Sequence, residues 1–150
     1  TKFTVLRHTN IYGPHDKFEN NKSHFMASTI TKAKYAKNKI EIWGNGNERR
    51  DFLYIDDLCS AIECVIKKQK KKFELLNISY GKNFSIKEIV KKVRKCINKN
   101  YKIIFDKSKP SININISVDN SKAARQYKWK PKNKIDEGIK KTISWYLRNY

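Results

Sequence analysis

The feature that most constrains the fold is the spacing of the apolar residues, which switches along the chain between strand-like runs and helical repeats. Phe3, Val5 and Leu6 within residues 2–8 read as a largely buried strand, followed by a polar loop over 9–22. Ser23 can cap a helix running to about residue 37, with Met26, Ile30 and Ala33 on one face. Residues 40–43 and 50–55 read as two strands around Gly44-Asn45-Gly46-Asn47, which predicts a hairpin. Asp56 and Asp57 sit where a helix N-terminus wants negative charge, and Leu58, Ala61, Ile62, Val65 and Ile66 then repeat at helical spacing. Residues 73–78 form another strand, and Ser85-Ile86-Lys87-Glu88 has the capping-box pattern before Ile89, Val90, Val93 and Ile97. A strand over 101–105, an irregular stretch over 107–118 and a short helix over 120–127 follow. A last helix over 135–149 turns Ile135, Ile139, Ile143, Tyr146 and Leu147 inward. Such alternation predicts an α/β chain.

At 150 residues this is one domain or part of a larger one. No apolar stretch approaches the roughly 20 residues of a membrane span, and no signal peptide is evident, so no membrane partner is expected. The net charge of +20 raises the question of a polyanionic partner. Twenty-eight of the 34 cations are lysines scattered over nearly every segment, which fits a compositional bias as well as a binding site. The lysine run over 67–72 reads as a solvated helix end and turn. Without a helix-turn-helix, zinc or stacking-aromatic motif, no specific nucleic-acid partner is expected. Cys59, Cys64 and Cys96 lack Cys-x-x-Cys spacing, which argues against a disulfide framework and a metal site. They read as reduced core filler in a cytoplasmic protein.

Chemistry concentrates where the first strand ends. Thr9-Asn10-Ile11-Tyr12-Gly13-Pro14-His15-Asp16-Lys17-Phe18, closing on Ser23-His24, carries two of only three histidines. At the carboxyl end of a buried strand, backbone groups are freed to meet a ligand. His24 has the chemistry of a general acid at a helix start, where the dipole disfavours its cation. His15 reads as a loop-ordering residue. Arg50 is a rare arginine whose planar fork suits a phosphate, and the adjacent Arg49 should point to the opposite face. Trp43 reads equally as hairpin core or as a site residue. A glycine-rich phosphate loop is missing, and no Tyr-x-x-x-Lys pair stands in the helical stretches.

Three motifs, Arg7-His8-Thr9-Asn10-Ile11-Tyr12-Gly13-Pro14, Trp43-Gly44-Asn45-Gly46 and Arg50-Asp51-Phe52-Leu53-Tyr54-Ile55-Asp56-Asp57-Leu58, occur in this order. Their order and spacing resemble the C-terminal half of the extended short-chain dehydrogenase/reductase family of nucleotide-sugar epimerases, dehydratases and reductases. Within it, His15-Asp16-Lys17-Phe18 followed by Ser23-His24 is most similar to the GDP-L-fucose synthase group. The resemblance implies the last strands of a Rossmann-like parallel sheet plus a small mixed α/β substrate-binding lobe. Residues 1–150 would be the C-terminal portion, inactive alone, of an NAD(P)-dependent enzyme acting on a nucleotide-linked 4-keto-6-deoxy sugar. Its cofactor, NADP or NAD, would be bound mainly by an N-terminal half that also carries the Tyr-Lys pair, and the whole enzyme would be a homodimer.

The resemblance also assigns residues. His8, Thr9, Asn10 and Ile11 would lie against the nicotinamide end, with His8 standing where the family usually has proline. His24 would contact the cofactor and serve as the acid in epimerisation. Lys32, Trp43, Arg50 and Lys109 would hold the nucleotide-sugar, with Arg50 on the diphosphate. Two departures stand out: Ala27 lies where a proline is usual after the histidine, and 111–117 lacks the basic residue relatives carry there. Trp129-Lys130-Pro131 matches the family's Trp-x-Pro and reads as packing. A UDP- or dTDP-sugar 4-epimerase or 4,6-dehydratase is the alternative within the family, and a non-catalytic polyanion-binding module the alternative outside it.

Overall fold

The structure is a computed structural model describing residues 1–19, 23–112 and 114–150. The last positions of the expected 9–22 loop, and residue 113 of the irregular stretch, lie outside them. The elements are β1 (Phe3–His8), β2 (Asn10–Tyr12), α1 (Phe25–Tyr35), β3 (Lys39–Trp43), β4 (Arg49–Tyr54) and α2 (Ile55–Lys68). Then come β5 (Phe73–Ile78), β6 (Asn83–Ser85), α3 (Ile86–Ile97), β7 (Lys102–Asp106), α4 (Ser121–Tyr127) and α5 (Ile135–Asn149). Pairing is mostly parallel: β1 with β5, β2 with β4 and β3 with β7, while β6 runs antiparallel to β4. The chain therefore has the expected α/β architecture.

β4 is the partition of the molecule. Asp51, Phe52, Leu53 and Tyr54 are all buried, as in a strand covered on both faces. Because successive side chains alternate, Phe52 and Tyr54 enter a large apolar cluster with α1, β3, α3 and α5. Leu53 enters a second one with Leu76, Ile78, Ala61, Tyr127 and Trp129. Trp129 packs as expected, its indole N–H donating to Ser60 Oγ at 2.9 Å.

The expected hairpin does not form. β3 buries only Ile40 and Ile42 on one face and pairs with β7, whereas β4 pairs with β2 and β6. Gly44 and Gly46 both take positive φ, but the turn leads away from β3. Its carbonyls are captured by the start of α3, where Ile86 N donates to Glu48 O and Lys87 N to Gly46 O, both at 2.9 Å.

Four further expectations change. Ser23 does not cap α1: His24 occupies the N-cap without a side-chain bond, and the helix stops at Tyr35 as Ala36 turns extended. Asp57 sits in the first turn of α2 but serves another loop, accepting from Lys132 N at 2.8 Å and from Asn133 N at 3.2 Å. Leu147, Ile62 and Ile66 are exposed, and α5 instead buries Gly138 and Thr142. Cys59 is exposed and is not core filler. By contrast, Ser85 and Glu88 close the expected capping box, and the bond from Ser85 N holds the Glu88 carboxyl below its usual range.

One face is unfinished. β1 has β5 as its neighbour on one side, and a two-stranded parallel sheet is rarely left uncovered. Phe3, Val5 and Phe73 are exposed there, and on the other side of β1, beside Thr4 and Leu6, Ile66 of α2 is 75% exposed.

Candidate functional site

The site begins where the chain changes sheets. β1 ends at His8 and, after Thr9, residues 10–12 join β4 as β2, so the segment read as loop is partly strand. Asp51 holds this switch. It is fully buried, and its Oδ1 accepts from Thr9 Oγ1 at 3.1 Å and Tyr80 N at 2.9 Å, while Oδ2 accepts from Gly81 N at 2.9 Å. Asn10 Nδ2 donates to the Asp51 carbonyl at 2.8 Å. Burial pushes the Asp51 carboxyl up and these donors pull it back. The only sequence sign of this role is a carboxylate within an apolar strand.

After β2, Gly13 passes so close to Ile55 that a Cβ would collide with its side chain. His15 takes a left-handed φ of 63° and lays its ring on Trp145, centroids 4.5 Å apart. Phe18 stacks on Tyr146 at 4.5 Å. The loop is thus pinned to the end of α5, and His15 orders it as expected. Tyr12 is buried beneath, its hydroxyl donating to Ile135 O at 3.4 Å, and burial drives its pKa up so that the phenol stays neutral.

Two cavities meet at Arg50. The first, about 500 Å³, is walled by residues 8–16 together with His24, Met26, Phe52 and Ile55. The second, about 620 Å³, is walled by Ser23, Lys32, Trp43, Glu48, Ile86 and residues 110–112. Phe25 and Arg50 line both. Arg50 Nε donates to Glu48 Oε1 at 2.7 Å, and its Nη2 pairs with the same oxygen. Arg49 points the other way, to Asn83 and Glu88. Lys32 reaches across from α1 to donate to the Glu41 carbonyl at 2.9 Å. Trp43 is 58% exposed, which removes the core reading and leaves its ring open beside the second cavity.

The structure therefore brings together His8, Thr9, Asn10, Ile11 and His24 in one chamber and Lys32, Trp43 and Arg50 in the next. Lys109 is not brought in: it lies on an exposed turn, and its neighbours Pro110, Ser111 and Ile112 form the wall instead. Glu48 and Asp51 are the residues sequence reasoning missed, since their partners converge only in three dimensions.

A nicotinamide ring fits the first chamber chemically. Ile11, Phe25, Met26 and Phe52 offer an apolar surface, and His8, Asn10 and His24 add polar groups to the same lining. Among the described residues no group of three or more His, Cys, Asp or Glu could hold a metal.

Two adjoining chambers, one walled by the end of β1 and by β2 and the other by Trp43 at the end of β3, meet at Arg50 near the start of β4 and give the α/β fold a two-part cleft. The model of the NAD dependent epimerase/dehydratase family matches residues 1–79, and the chain belongs to that family. It is 33% identical over 142 residues to GDP-L-colitose synthase of Yersinia pseudotuberculosis, covering 92% of this chain and 46% of that one. It is 35% identical over 145 residues to GDP-L-fucose synthase of Sinorhizobium fredii, covering 94% and 46%. The fold matches the crystal structure of a GDP-L-fucose synthetase from Naegleria fowleri bound to NADP, with a TM-score of 0.92 at 24% identity, over 99% of this chain and 47% of that one. The chain thus spans about half the length of the relatives it matches.

Proposed function

We propose that this chain is the substrate-binding portion of an NADP-dependent reductase and epimerase of a GDP-linked 4-keto-6-deoxy sugar. The observation that carries this reading is the junction at Arg50, one guanidinium shared by a chamber fit for a nicotinamide and a sugar and a chamber flanked by an open tryptophan ring. Arg50 binds the diphosphate at the waist, Trp43 and Lys32 hold the nucleoside side, and the sugar enters the first chamber. A bound nicotinamide cofactor supplies the hydride. His24 lines that chamber and there gives and takes a proton at the sugar carbons beside the ketone. Thr9, Asn10 and Ile11 shape the wall for the nicotinamide, and Asp51 fixes them.

The remaining cofactor contacts and the Tyr-Lys pair belong to a cofactor-binding half that docks on the open edge of β1 and its exposed Phe3 and Val5, so this portion does not turn over alone. The whole enzyme works as a cytoplasmic homodimer. Titrating the ¹⁵N-labelled 150-residue chain with a GDP-sugar and separately with a UDP-sugar tests the reading. Amide shifts are expected at 23–32, 43–50 and 110–112, with the GDP-sugar binding more tightly. Tighter binding of the UDP-sugar would replace the subgroup, and shifts confined to surface lysines would sink the assignment.

A further inference from the structure

We propose that Glu48 is a specificity-determining residue of the cleft, orienting Arg50 while cancelling part of its charge so that bare polyphosphate anions bind poorly there. The inference rests on Arg50 being the anion contact, as argued above. Three observations carry it. First, Glu48 is largely covered, with only 13% of its side chain exposed, yet it lines the second cavity. Second, it is fixed from both ends: its carbonyl accepts from Ile86 N at the head of α3, and its Oε1 takes both Nε and Nη2 of Arg50. Two of the three guanidinium nitrogens of Arg50 thus meet Glu48, and among the described residues its Nη1 has no protein partner. Third, the chain carries a net charge of +20, so any cleft on it attracts polyanions without discrimination.

A neutral acceptor would orient Arg50 equally well, but a carboxylate also subtracts a unit charge where the ligand's own charge must sit. Besides Arg50, the other cation lining the second chamber among the described residues is Lys32, whose ammonium gives one of its N–H donors to the Glu41 carbonyl. A pyrophosphate, which offers only charge, then gains little. A nucleotide-sugar, which adds stacking on Trp43 and burial of its sugar and base, retains its affinity.

Calorimetric titration of the wild type, Glu48→Gln, Glu63→Gln and Arg50→Ala with pyrophosphate and with a GDP-sugar tests this. Glu63 is an exposed glutamate on α2 and controls for the global field. Glu48→Gln is expected to bind pyrophosphate roughly tenfold more tightly, as removal of one nearby charge predicts, with a much smaller change for the GDP-sugar. Glu63→Gln should match the wild type for both. If the glutamine variant proves unstable, Glu48→Ala must show the same fall in preference for the GDP-sugar over pyrophosphate. The Arg50 Nε–H resonance should move in Glu48→Gln, reporting the ion pair independently of binding. Pyrophosphate affinity unchanged or weaker in Glu48→Gln, with Arg50→Ala still losing the GDP-sugar, overturns the role of Glu48 alone. Arg50→Ala binding both ligands like the wild type overturns the cleft reading and this inference with it.

Discussion

The two apolar clusters of this chain are equally well buried, but the elements around them differ in how much apolar surface they leave outside. Around α1, α3 and α5, Ala27, Ile30, Ile89, Val90 and Val93 have no solvent exposure, and every helix presents its apolar stripe to another element. Along β1, β5 and α2, Phe3, Val5, Phe73 and Ile66 remain in solvent although their sequence pattern is that of buried strand and helix. The difference teaches that the elements holding Lys32 and Trp43 bury their apolar stripes against one another, while β1 and β5 leave apolar side chains open to a further layer. The second chamber should therefore bind ligand without that layer, whereas the first depends on it.

The sharpest way to break this contrast is substitution in each region. Ile89→Ala should destabilise the chain by about 3 kcal/mol in urea unfolding, and Val5→Ala by less than about 0.5 kcal/mol. Equal losses would mean the two regions are not differently packed. At the seam between them, Thr9→Val leaves the buried Asp51 with one donor fewer and should cost about 1.5 kcal/mol. It should also disturb the Tyr80 and Gly81 amides, which an NMR spectrum of the variant would show.

A smaller effect marks the strand side. Glu74 is buried on β5 and held below the usual carboxylate range by the ammonium of Lys122, at 2.5 Å, and by Lys71. A carboxyl with a depressed folded-state pKa adds stability that is present above its unfolded pKa and lost as pH falls through the folded one. Glu74→Gln should therefore lower stability at neutral pH by about 1 kcal/mol and flatten the acid limb of a stability–pH curve. An unchanged acid limb would remove Glu74 from the account. The smallest change is expected for Ile66→Lys, within about 0.5 kcal/mol of wild type. In sedimentation it should suppress concentration-dependent association through the exposed apolar end of α2.

What could be read in the sequence was local. β5 and α5 fall on the expected residues because their apolar periods and flanking signals lie within a few positions, and the α3 capping box is closed by residues three apart. Strand partnership is not local: Asn-Gly chemistry at 45–46 favours a hairpin, yet β3 pairs with β7 while β4 pairs with β2 and β6. β2 and β6, of three residues each, have no period to detect. In the site, Arg50 was legible because arginine is scarce in a lysine-rich chain. Glu48 was not, since its meaning comes from one oxygen meeting Arg50, and Lys109 misled because its neighbours, not it, form the wall.

The claim that Arg50 is the hinge of a specific nucleotide-sugar cleft on an otherwise indiscriminately basic surface is tested most directly by affinity. The dissociation constant of a GDP-sugar would be measured for the wild type, Arg50→Ala and Lys72→Ala, each with and without a generic RNA competitor. Arg50→Ala should weaken binding by roughly tenfold or more, the worth of a hydrogen bond to a charged group. Lys72→Ala should leave it unchanged and the RNA should not compete. Equal losses in the two variants, or displacement of the GDP-sugar by RNA, would contradict the account and leave a basic surface without a site.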